Sequence, residues 1–254
     1  MRMSFTSHPE VDQVLSTLLE NVQGILGHYF VGMYLYGSLA TGDFNPKSSD
    51  IDFCVITQDI LPTEFIAHLE MMHKKIWASP FKWAAKLEGA YLPKSLIRRH
   101  NPNGPACPVV NEGKFYLGAQ GSDWVIQRHV LREKGVVLAG PDPITLIDYV
   151  SPEEIRNAVR GVLEEWWFPM LADSAWLVNH GSEYHAYTVI SMCRALHALE
   201  HGTVVSKPIA AEWASIQYAD HARLIEKSLD AQDGISSGFA EDALGFIDMV
   251  KKLI

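Results

Sequence analysis

Two short apolar runs, one ending in Gly-Ser and the next opening with Asp-x-Asp, constrain this chain more than any other feature. The first is Tyr34-Leu35-Tyr36-Gly37-Ser38, and the second is Ser49-Asp50-Ile51-Asp52-Phe53-Cys54-Val55-Ile56. Runs this short and apolar, bounded by Gly and polar residues, read as buried strands. Alternate side chains of a strand share a face, so Asp50 and Asp52 project together, about 6–7 Å apart along the chain. Two hard carboxylates on one rigid face suit Mg²⁺, which takes one or two carboxylates and leaves room for substrate phosphates. The Gly37-Ser38 turn offers backbone N–H groups and a hydroxyl to a phosphate. Ser49, directly before Asp50, either reaches a phosphate or caps the turn. Together these residues describe a site for a nucleoside triphosphate.

The rest of the chain falls into two kinds of pattern. Val11, Val14, Leu15, Leu18, Leu19, Val22, Ile25 and Leu26 follow helical spacing and stop at Gly27. Strands are predicted at 31–36 and 51–57, a helix from Leu61-Pro62 to Trp77, and a third strand over Lys82–Leu92. Residues 95–114, rich in Pro, Asn and Gly, read as loop, followed by a strand at Phe115–Leu117. Residues 122–134 read as a helix with Ser122 as N-cap, and 135–141 as a short buried strand or turn. Ser151-Pro152-Glu153-Glu154 then combines an N-cap, Pro at the first helical position and a capping-box Glu. Helices are predicted near 152–170, 183–201, 208–218, 220–231 and 237–253, with no strand between them. The expectation is an α+β chain, mixed over 1–150 and all-helical over 151–254.

A third carboxylate, Glu88, lies in Lys86-Leu87-Glu88-Gly89-Ala90-Tyr91, after the Asp-x-Asp strand. A sugar hydroxyl is a poor nucleophile while protonated, and a carboxylate near the metal pair can accept that proton in the transition state. The plain alternative is a solvent-facing Glu on an edge strand.

Gly37-Ser38 with Asp50 and Asp52 resembles the Gly-Ser, loop, Asp-x-Asp signature of the DNA polymerase β-like nucleotidyltransferase superfamily. More narrowly, the chain resembles the aminoglycoside nucleotidyltransferases that adenylylate streptomycin and spectinomycin. The segment from Arg194 through Lys207 to Trp213 carries much of that likeness. The resemblance implies a nucleotidyltransferase domain with a small mixed sheet over 1–150 and a helical bundle over 151–254. It implies Asp50 and Asp52 as Mg²⁺ ligands, Glu88 as general base, and ATP as substrate. It also implies Arg194 and Lys207 as phosphate-binding cations, which fits the physics. A triphosphate needs cations beyond its metal, and Arg binds phosphate oxygens in a fork while Lys acts as a point charge. On the acceptor side, the family's acidic position falls nearest Tyr184, with Glu183 one residue away. Trp166, Trp167, Trp176 and Tyr187 supply aromatic faces nearby. Trp166 and Trp167 are adjacent on a helix, so at least one of them belongs to the core.

Charge sharpens the choice of partner. The net charge is −9, with fifteen acidic against eight basic residues over 152–254 and fifteen against thirteen over 1–151. This balance disfavours nucleic acid, whose phosphates need a basic surface. It suits a cationic small-molecule acceptor through field focusing. Residues Met1–Glu10 lack a signal-peptide pattern and no apolar run reaches membrane-spanning length, so a cytoplasmic enzyme acting as a monomer is expected. Cys54, Cys107 and Cys193 make an odd count without metal-ligand spacing, and His197 and His201 at i, i+4 lack a third ligand. Three rival readings use the same residues: an adenylyltransferase with a metabolite or protein acceptor, a non-catalytic nucleotide-binding module, and a nucleic-acid end-modifying relative.

Overall fold

Amphipathic spacing in the first helix decides how the sheet is covered. The computed structural model describes residues 4–47, 49–231 and 238–254, and separates into two units, Met1–Tyr149 and Val150–Ile254. Helix α1 (Pro9–Leu26) starts on a proline and buries Val11, Val14, Leu15, Leu18, Leu19, Val22 and Leu26 on one stripe. Strand β1 (Phe30–Leu35) follows, then the short helix α2 (Gly37–Thr41), strand β2 (Ile51–Thr57) and helix α3 (Thr63–Trp77). A 3₁₀ turn at Ala84–Lys86 leads into β3 (Leu87–Pro93), α4 (Lys94–Arg98), β4 (Cys107–Asn111) and β5 (Lys114–Gly118). The first unit closes with α5 (Asp123–Lys134), β6 (Val136–Ala139) and α6 (Pro143–Leu146).

The six strands form one sheet in the order β5-β4-β3-β2-β1-β6. β2 and β3 are parallel, joined through α3, and the other neighbours are antiparallel. The sheet is therefore mixed, as the resemblance implies. One face packs on α1 and α3: Met33, Leu35, Ile51, Phe53, Val55, Leu87 and Tyr91 share a core with Leu15, Leu18, Leu69, Met72 and Ile76. Within it His73 is fully buried, its Nε2 lies 2.7 Å from Tyr91 Oη, and burial lowers its pKa to about 3, so it remains neutral.

Three segments of this unit differ from the sequence-based expectation. Residues 95–114, predicted as loop, contain most of α4 and all of β4. Glu112 and Gly113 both adopt positive φ, 48° and 69°, and this two-residue turn folds β4 back on β5. Arg128 of α5 is buried and donates to the Ile97 and Arg98 carbonyls, which satisfies the C-terminal end of α4. The predicted strand Lys82–Leu92 starts later, because its first residues coil into the 3₁₀ turn. β6 lies at a sheet edge, and Val137 on it is exposed.

The second unit is helical: α7 (Pro152–Val162), α8 (Ala175–Val178), α9 (Ser182–His201), α10 (Lys207–Gln217), α11 (Ala222–Ala231) and α12 (Ala240–Leu253). Ser151 Oγ accepts from the Glu154 N–H, while Glu154 Oε2 accepts from the Ser151 N–H at 2.8 Å, closing the capping box. The single helix predicted over 152–170 changes form at Leu163, passing through a π turn (Leu163–Trp167) and a 3₁₀ turn (Phe168–Leu171). Pro169 lacks the N–H that an α-helix would need there. Within that turn Trp167 is buried and Trp166 is 51% exposed. Residue 237, where the last helix is predicted to begin, lies outside the described residues, as do Met1–Met3. Among the described residues no helix is long and apolar enough to cross a membrane.

Gly89 leaves no room for a side chain, because a Cβ there would collide with the Phe53 carbonyl oxygen and ring. Gly89→Ala should lower stability by about 2–3 kcal/mol through strand displacement. Urea unfolding checks this, and an unchanged midpoint would show that the strands part freely.

Candidate active site

Strand alternation that sends Ile51, Phe53 and Leu87 into the α1–α3 core sends Asp50, Asp52 and Glu88 to the opposite face, where all three are half-buried. The parallel ladder pairs Asp52 with Glu88 directly. Neighbouring strands lie about 4.8 Å apart, so the two carboxylates face one volume. Asp50 stands one residue before β2, and its Oδ1 lies 3.0 Å from Lys86 Nζ.

The third edge of this volume is the Gly-Ser segment. The Tyr36 N–H donates to the Asp52 carbonyl at 3.1 Å, tying the end of β1 to β2. Gly37 then adopts φ +61°, and a Cβ on it would overlap the Asp52 carboxylate, so only glycine fits. The expected Gly-Ser turn is the first turn of α2, with half-buried Ser38 as its second residue. Ser49 closes the loop that delivers Asp50: its Oγ accepts from the Asn45 N–H at 3.0 Å and its N–H donates to the Asn45 carbonyl at 2.9 Å. The Ser49 hydroxyl thus caps the turn as an acceptor.

Burial and like charge act together here. Burial pushes Glu88 up to about 8, and the negative charges of Asp50, Asp52 and Glu112 push the same way, opposed by Lys86. The Tyr36 phenol is also held well above its usual range, by burial first and then by Asp52, Cys54, Glu88 and Asp123. A face that concentrates carboxylates against their own repulsion fits a divalent cation. Among the described residues no group of three His, Cys, Asp or Glu encloses a metal by itself. Two carboxylates are the share that Mg²⁺ takes from a protein when water and substrate phosphate complete its octahedron. Asp50 and Asp52 are the residues that could hold such an ion.

The remaining sequence-predicted residues lie in the second unit. Arg194 is half-buried on α9, and among the described residues no hydrogen bond or ion pair to its guanidinium is found. Lys207 opens α10 rather than sitting in a loop, with its Nζ 5.5 Å from the centre of the Tyr187 ring. Glu183 is exposed in the first turn of α9. Its neighbour Tyr184 is the residue that joins an aromatic cluster, with Trp176 at 5.0 Å and His180 at 4.5 Å between ring centroids. Trp166 extends that cluster, 5.5 Å from Trp176. The buried Trp124 packs with Tyr36 at 6.4 Å. His197 and His201 lie 4.5 Å apart with Trp213 against both rings, an aromatic packing arrangement.

Sequence reasoning missed two residues of the carboxylate face, Lys86 and Tyr36. Lys86 lies in the 3₁₀ turn before β3, and its contact with Asp50 puts it on this face, which no local sequence signal announces. Tyr36 stands one residue past β1, and only the folded chain reveals that its N–H bonds to the Asp52 carbonyl.

Two consequences are measurable. Glu88 binds its proton more tightly folded than unfolded, so its stabilising contribution is complete below its ordinary value of 4.5 and is lost as pH rises through about 8. In metal-free protein, Glu88→Gln should therefore gain about 1–2 kcal/mol over wild type at pH 8–9 and lose that advantage toward pH 4–5. Denaturant melts across this range check it, and a pH-independent difference would contradict it. Gly37→Ala should lower stability by about 1–3 kcal/mol through strain and a displaced Asp52, read from the same melts at neutral pH.

Comparison with known proteins assigns both units. Residues 15–87 match the nucleotidyltransferase domain model, and residues 145–249 match the aminoglycoside adenylyltransferase C-terminal domain model. A spectinomycin 9-adenylyltransferase of Staphylococcus aureus is 24% identical, with 80% of this chain and 77% of the relative aligned. One from Campylobacter jejuni is 23% identical over 96% of both. The crystal structure of a spectinomycin adenyltransferase from Enterococcus faecialis, with ATP and spectinomycin, has the same fold: TM-score 0.74 at 15% identity, covering 94% of this chain and 97% of that one. With its Asp-x-Asp strand inside the matched nucleotidyltransferase domain and its Arg194–Lys207 segment inside the matched C-terminal domain, the chain belongs to the aminoglycoside adenylyltransferases, enzymes of the nucleotidyltransferase type.

Proposed function

We propose that this enzyme transfers AMP from ATP to a hydroxyl of an aminoglycoside or aminocyclitol antibiotic of the spectinomycin or streptomycin type, releasing pyrophosphate. The observation that carries this reading is the pairing of Asp52 with Glu88 on adjacent parallel strands, beside Asp50 and against Gly37. Asp50 and Asp52 would hold Mg²⁺, which would supply positive charge against the triphosphate and the developing pyrophosphate. Glu88 takes the proton from the acceptor hydroxyl. That oxygen then bonds to the α-phosphorus as the bond to the pyrophosphate oxygen breaks. The Glu88 carboxylate suits this role, because burial and its acidic neighbours raise its affinity for a proton, while cationic charge arriving beside it favours the ionised form that accepts one.

Gly37 and Ser38 approach the phosphates with backbone and hydroxyl, and Arg194 and Lys207 add cationic contacts to them. On the acceptor side, Glu183 pairs with an ammonium or guanidinium, and the exposed Trp166 and Tyr187 rings cover a sugar face. Support for an antibiotic acceptor comes from the relatives named as spectinomycin 9-adenylyltransferases and from the acidic excess over 152–254.

The test is a mass-spectrometric acceptor screen with MgATP, a panel of aminoglycosides including streptomycin and spectinomycin, and Asp52→Asn as control. An AMP adduct on one drug, absent with Asp52→Asn, is expected. No adduct despite stabilisation by MgATP would move the acceptor outside the antibiotics. Glu88→Gln should retain MgATP-dependent thermal stabilisation and lose turnover; loss of both would make Glu88 a metal ligand instead of the base. Arg194→Ala and Lys207→Ala should each raise the KM for ATP about tenfold, the scale of one charged phosphate contact.

A further inference from the structure

We propose that Lys86 is a built-in substitute for the metal: its ammonium holds the Asp50 carboxylate in metal-free enzyme and gives it up to the divalent ion. The inference rests on the nucleotidyltransferase reading above and concerns a residue that reading leaves without a role.

Three observations carry it. Lys86 Nζ lies 3.0 Å from Asp50 Oδ1, on one of the two carboxylates assigned to the metal. Lys86 ends the 3₁₀ turn that leads into β3, two residues before Glu88, and its contact with Asp50 sets its ammonium on the carboxylate face rather than in the core. Both side chains remain partly exposed, 49% for Lys86 and 35% for Asp50, so the pair can open toward water. Three carboxylates gathered on one face need positive charge whether or not nucleotide is present. A lysine supplies it in a form that leaves readily. Its single charge sits on a flexible stem, and an exposed ion pair of this kind is weak. A divalent ion with two carboxylate ligands displaces it, and the ammonium swings into solvent.

The experiment measures Mn²⁺ binding without nucleotide, from the electron paramagnetic resonance signal of free Mn²⁺, together with melting temperature in EDTA and in millimolar Mn²⁺. Lys86→Met should bind Mn²⁺ about two- to fivefold more tightly than wild type, the range expected on removing an exposed competing pair. It should also melt lower in EDTA and gain more from Mn²⁺. Lys86→Arg keeps the charge and should restore wild-type behaviour. Lys82→Met, whose lysine pairs with Glu10, should match wild type and exclude a general effect of net charge. Asp52→Asn combined with Lys86→Met should lose the gain, placing the ion at this site. An equal Mn²⁺ response in wild type and Lys86→Met, including none in either, overturns the exchange. Failure of MgATP to stabilise the wild type would instead count against the nucleotide reading itself.

Discussion

The parallel pairing of β2 with β3 is the interaction on which the rest of the active site depends. It places Asp52 beside Glu88 and, through the alternation of side chains, turns both away from the helices that cover the other face. Core and site are therefore two sides of the same strands. Ile51 and Leu87 stabilise the sheet by burial against α1 and α3, and that burial holds the carboxylates between and beyond them in place. A slip of one residue in this ladder would send carboxylates into the core and expose Phe53. Such a slip is strongly opposed, so the position of the charged groups is set by apolar packing.

The cost of this arrangement is electrostatic. Glu88 is pushed up to about 8 because burial and its acidic neighbours both oppose its charge. The fold bears part of that cost through contacts that leave no alternative geometry. The Tyr36 amide bonds to the Asp52 carbonyl, and Gly37 lies so close that no side chain fits between turn and carboxylate. These contacts give the repelling charges rigid supports, the condition for a preorganised site.

Much of this was legible in the sequence, for identifiable reasons. β2 announced itself because Ile51 to Ile56 is apolar apart from Asp52, and its two aspartates sit at strand spacing. Helix α1 was clear from its apolar stripe, and α7 from a capping box written in four consecutive residues. The 95–114 region failed because Pro, Asn and Gly mark loops on average, whereas here Glu112-Gly113 forms a tight hairpin turn and Arg128, thirty residues downstream of Arg98, caps α4. The break at Leu163 was hidden because two consecutive tryptophans fit a helical pattern without revealing which one the core would take.

Lys86 shows where local reading stops. In sequence it is one lysine before a Leu-Glu pair, and nothing local distinguishes it from the surface lysines Lys74 or Lys82, which pair with Glu70 and Glu10. Its significance comes from two facts separated along the chain. β3 lies parallel to β2, and Asp50 stands one residue ahead of its strand, where the extended lysine can reach it. Charge compensation in this site is therefore a property of strand register, as is the pairing of Asp52 with Glu88. The same ladder that gathers the carboxylates also brings the cation that makes their proximity tolerable.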